Sequence, residues 1–77
     1  MTDETRRLLE LLAASGDGCT EAILLAHGFA LDLIHGIVSA GLATATAEHT
    51  FAAGRAIEFT RVRITEARRR ALAERPA

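Results

Sequence analysis

Asp32, His35 and Ser39 are the one set in this chain where an acid, a base and a hydroxyl recur at spacings of three and four. On a helix those spacings put all three on one face. Nucleophilic catalysis needs side chains that converge, with the base oriented by a third group, and neighbours along one helix do not easily converge. No Gly-x-Ser-x-Gly elbow surrounds Ser39 either. Cys19, His27, His35 and His49 are the soft metal ligands, and they lack both C-x-x-C and H-x-x-x-H spacing. The chain therefore reads as a non-enzyme with no metal, no cofactor and no evident small-molecule substrate.

The arginines offer a different chemistry. All nine basic residues are Arg, a side chain suited to forked contacts with phosphate or carboxylate. Residues 1–41 carry six acids and two arginines, net −4; residues 42–77 carry seven arginines and four glutamates, net +3. Arg68-Arg69-Arg70 is the densest run, but three consecutive residues fan around most of a helix and cannot form one strip. They read as a solvated helix face or a nucleic-acid contact.

Seventy-seven residues make one domain, residues 1–77. The apolar fraction of 49% excludes a disordered chain, yet much of it is alanine and the aromatics are three phenylalanines. The core must be thin, which favours self-association. A lone cysteine excludes an internal disulfide. The acidic start, Met1-Thr2-Asp3-Glu4, does not resemble a signal peptide, and Asp32 and His35 interrupt the longest apolar stretch. A cytoplasmic protein without membrane contact is expected.

Thr2 caps an amphipathic first helix whose Leu8, Leu9, Leu11 and Leu12 share half of the wheel. It stops at Ser15-Gly16-Asp17-Gly18. Thr20 caps a short second helix, Glu21 to about His27, closed by Gly28. A third helix runs from about Ala30 to Ala40 and ends at Gly41, leaving a narrow polar stripe of Asp32, His35, Gly36 and Ser39. The period then changes to two. Leu42 to Phe51 and Ile57 to Ile64 read as strands about an Ala52-Ala53-Gly54-Arg55 turn. Thr65 caps a last helix, Glu66 to about Glu74, with Pro76 beyond it. The fold class is α+β, mostly α: three short helices, a two-stranded hairpin and a C-terminal helix.

With Ala53-Gly54 as a two-residue turn, opposed positions sum to 107. Arg61 then faces Thr46 and Arg63 faces Thr44, while Val62 and Ile64 point with Ala43 and Ala45 toward the core. Arg55 sits at the tip. These arginines either hold a backbone phosphate or pair with Glu48 or Glu58. The same register puts Ile57 and Phe59 beside the arginines. Either a bulge between Phe59 and Val62 flips the strand, or an apolar patch is exposed. Phe51, Ile57 and Phe59 are accordingly candidates for a dimer or partner surface.

Three stretches carry a family resemblance. Ile37-Val38-Ser39-Ala40-Gly41-Leu42-Ala43 looks like the end of a recognition helix entering a wing strand, and Arg61-Val62-Arg63-Ile64-Thr65-Glu66-Ala67 looks like the last wing strand and the cap of the final helix. Leu8 to Ala14 matches in pattern only. Together they resemble winged helix-turn-helix transcription regulators, especially small bacterial ones of the multiple-antibiotic-resistance type. That family usually has Gly where Arg68 stands, and its interval corresponding to Gly28–Gly41 is longer. The resemblance implies a winged helix, and with it a DNA-binding regulator, commonly a homodimer on double-stranded DNA. Asp32, His35 and Ser39 would then meet base edges, and Arg55, Arg61 and Arg63 the backbone. The alternative is a winged helix used for protein–protein contact or dimerisation without DNA.

Overall fold

A computed structural model describes residues 2–73. Its elements, in chain order, are α1 (Asp3–Ala14), β1 (Cys19–Thr20), α2 (Glu21–Ala26), α3 (Leu31–Ser39), β2 (Ala43–Ala52), β3 (Arg55–Ile64) and α4 (Glu66–Ala73). The expected end of the last helix near Glu74, and Pro76, lie outside the described residues. Threonine hydroxyls start three of the four helices. Thr2 Oγ1 accepts from the Thr5 N–H, Thr20 Oγ1 from Ile23 and Thr65 Oγ1 from Arg68. Each satisfies an N–H that the first helical turn leaves without a backbone partner. Helix α3 instead begins at Ala30, which makes no side-chain cap.

The strands form one antiparallel sheet in the order β1-β3-β2. Strand β1 is a departure from the sequence reading, in which Thr20 was only a cap. It is two residues long, Cys19 opposite Val62 and Thr20 opposite Arg61. Gly18 brings it there. Its φ is +79°, and a Cβ at this position would overlap the Val62 carbonyl oxygen. Only glycine combines that backbone with so close an approach.

The hairpin keeps the expected register without a break, from Ala43↔Ile64 to Ala52↔Arg55. The bulge alternative is therefore overturned. Ala53 and Gly54 both have positive φ, 52° and 75°, as a two-residue turn matched to strand twist requires.

One cluster of buried residues forms the core: Leu8, Leu9 and Leu12 of α1, Cys19, Leu24 of α2, Ile34 and Ile37 of α3, and Ala43, Val62 and Ile64 of the sheet. It sits at one end of an elongated molecule, 49 × 21 × 20 Å. Of β2 only Ala43 is buried, and of β3 only Val62 and Ile64. Ala45, expected in the core, is exposed. Alternation assigned its face correctly; the helices cover its partner Val62 in the same row but not Ala45 on the edge strand β2. Ten-residue strands span about 33 Å, so the outer part of the hairpin runs past the body. Two bonds close its neck, since the Thr65 N–H and hydroxyl both donate to the Leu42 carbonyl, at 3.1 and 3.3 Å. Arg69 of α4 reaches back to the Ala13 carbonyl at 2.8 Å and ties the last helix to the end of α1.

Candidate functional site

The exposed face of α3 carries Asp32, His35 and Ser39, as the helical spacing demands. None of the three makes a hydrogen bond to another. His35 and Ser39 border a groove of about 400 Å³ that sequence reasoning did not anticipate. Ile34, Val38 and Ala45 supply its apolar wall, and Glu21 and Thr60 close it from α2 and β3. The groove joins residues far apart in sequence, and no local pattern announces it. Asp32 is not part of it.

The hairpin arginines follow the register. Arg61 faces Thr46 and Arg63 faces Thr44 on the side away from the core. Between them stands Glu48. Arg61 Nε donates to Glu48 Oε1 at 2.9 Å, and Arg63 Nη1 lies 3.5 Å from Oε2. The hydrogen bond from Arg61 holds the Glu48 carboxyl below its ordinary range, helped by the charge of both arginines. The Arg61 guanidinium also lies over the Phe59 ring, 5.5 Å from its centroid. Of the two readings for these arginines, the structure contains the carboxylate pairing, with Glu48 as the acid; Glu58 points from the opposite face. Arg55, at the tip, is exposed.

The three apolar candidates do not form one patch. Ile57 and Phe59 share the arginine face, where Ile57 is 46% exposed and Phe59 is half-buried. Phe51 lies on the other face, 73% exposed, its ring edge-on to His49 at 6.4 Å. It projects from the same side of the sheet as Val62 and the groove, about six residues further out. Ile23 and Leu25 of α2 and Leu31 of α3 are further exposed large apolar side chains.

The soft ligands stay apart among the described residues. Cys19 is buried, with Sγ 3.3 Å from Ser15 Oγ, whereas His27 and His49 are exposed. No helix among the described residues is long and apolar enough to cross a membrane. Comparison with protein-family models, with curated proteins and with solved structures finds no match.

Proposed function

We propose that this chain is a winged-helix module whose hairpin, the wing, docks a protein rather than reading DNA. The order helix, short strand, helix, helix, hairpin, with the short strand paired to the returning arm, supports the winged-helix reading. So does the resemblance of residues 37–43 and 61–67 to that family.

The observation that carries the docking reading is the outer hairpin. Phe51 stands 73% exposed on a ribbon with no helix over it. A two-stranded ribbon is marginal in water and gains stability when a further strand or surface covers it. The surfaces a DNA reader would use are built otherwise. The α3 stripe lacks Arg, Lys, Asn and Gln, the side chains that fork onto base edges. Glu21 places a carboxylate in the groove beside that stripe, where a phosphate would approach. Glu48 occupies Arg61 and Arg63.

The second reading, a regulator that grips the DNA backbone, draws on Arg55, Arg61 and Arg63 sharing one face of the hairpin. A titration separates the two. Mixed-sequence duplex DNA is added at low salt to labelled protein and amide shifts are followed. The docking reading expects no shift along Asp32–Ser39. Salt-sensitive shifts there and at Arg55, Arg61 and Arg63 together would overturn it.

A further inference from the structure

We propose that the partner of the hairpin is a second copy of this chain, paired β2 to β2 in antiparallel fashion, with Phe51 of each copy seated at the groove of the other. This rests on the docking reading above and identifies the occupant.

Strand β2 is the outer edge of the sheet. Its ten residues contain no proline or glycine, no bulge and one acid, Glu48. Natural edges are usually blunted by such devices, and an edge without them is a template for another strand. Counting from the turn, the even-numbered residues of β2 exchange hydrogen bonds with β3. The odd-numbered residues, Ala43 to Phe51, direct their N–H and C=O outward.

A twofold axis normal to the sheet lets two such edges pair while every side chain keeps its face. The two longest registers centre on Ala47 and on Glu48. Centring on Glu48 stacks like charges across the axis. Both registers align the outward-directed residues of the two strands, and centring on Ala47 avoids that repulsion. Phe51 then falls opposite Ala43 of the second copy, and His49 opposite its Ala45.

That register brings together two features that each copy leaves unfilled. Phe51, 73% exposed, and the groove lie on the same face of the sheet, about 20 Å apart along one hairpin. Antiparallel pairing closes that distance in both directions at once, so the aromatic ring of each chain meets the Ile34, Val38 and Ala45 wall of the other.

Sedimentation of the whole chain across a concentration series tests this. The wild type is expected to dimerise, Phe51→Glu to weaken the dimer by at least roughly tenfold, and Ile57→Glu on the opposite face to leave it unchanged. Both sites are exposed, so neither variant endangers the fold. Under mild oxidation, Ala47→Cys is expected to form a dimer-linking disulfide, because opposed Cα atoms lie about 5.5 Å apart. Thr50→Cys, far from its own image, is expected not to, and buried Cys19 supplies the unlinked control. A wild type that stays monomeric would overturn the proposal, as would a dimer broken by Ile57→Glu but not Phe51→Glu. Equal linking by the two cysteine variants would overturn the register. A monomer that also ignores duplex DNA would leave the docking reading standing with a different occupant.

Discussion

The base and the outer part of the hairpin are one continuous ladder, yet they have different physical supports. At the base, Val62, Ile64 and Ala43 lie under three helices and Cys19 adds a third strand. Burial of these side chains, each worth about 0.8 kcal/mol per methylene, holds the strands in place. Toward the tip the same alternation continues over open solvent, and only cross-strand pairs and the turn maintain it. The contrast teaches that regular pairing and stability are separate properties. Helices support the base, whereas among the described residues nothing covers the tip.

The largest test acts on the base. Gly18→Ala forces an alanine into left-handed backbone and drives its Cβ into the Val62 carbonyl. Strain and overpacking together should cost about 2–5 kcal/mol, read as a lowered midpoint in chemical denaturation. An unchanged midpoint would mean that β1 contributes little and that the base is no better anchored than the tip.

A smaller effect of opposite sign is expected at the turn. Ala53 holds φ at 52° without a glycine's freedom. Ala53→Gly should relieve roughly 1 kcal/mol of that strain and slow amide exchange in the outer rows, leaving the base unaffected. Slowing across the whole sheet would show that base and tip open as one unit.

The smallest lies between them. The Glu48 carboxyl is held below its ordinary range, so its favourable pairing is fully present above the unfolded-state value. That contribution disappears as pH falls through the folded-state value. Acidification should therefore loosen the rows around Glu48, Arg61 and Arg63 before the core gives way, and Glu48→Gln should abolish that early step. Amide exchange at Thr46 and Phe59 against pH reads it directly. Loss of base and tip together at one pH would remove the distinction.

Much of this was legible from residue order. Threonine caps, the Gly28 and Gly41 stops and the two-residue Ala53-Gly54 turn act locally, and the turn alone determines every pairing in the hairpin. What escaped depends on depth and distance. Alternation tells which side Ala45 faces but not where the helices above it end. A two-residue strand such as Cys19-Thr20 is too short to show a period. Its signal was Gly18, whose need for space appears only against Val62. Phe51 stands on the face opposite Ile57 and Phe59, a division that the hairpin register already contains. The Glu21–His35–Ser39–Thr60 groove draws on two helices and two strands and has no local signature.

The neck at Thr65 and Leu42 has one more consequence. Because the chain enters and leaves the hairpin through a closed pair of bonds to a single carbonyl, everything beyond it is a loop with fixed ends. Lineages could lengthen or trim such a loop without disturbing the body. The permitted increments are quantised, though: removing one residue from each arm inverts every side chain beyond the cut, while removing two from each restores the faces. The arm is thus a ruler graduated in steps of about 7 Å, and its reach can evolve independently of the core that carries it.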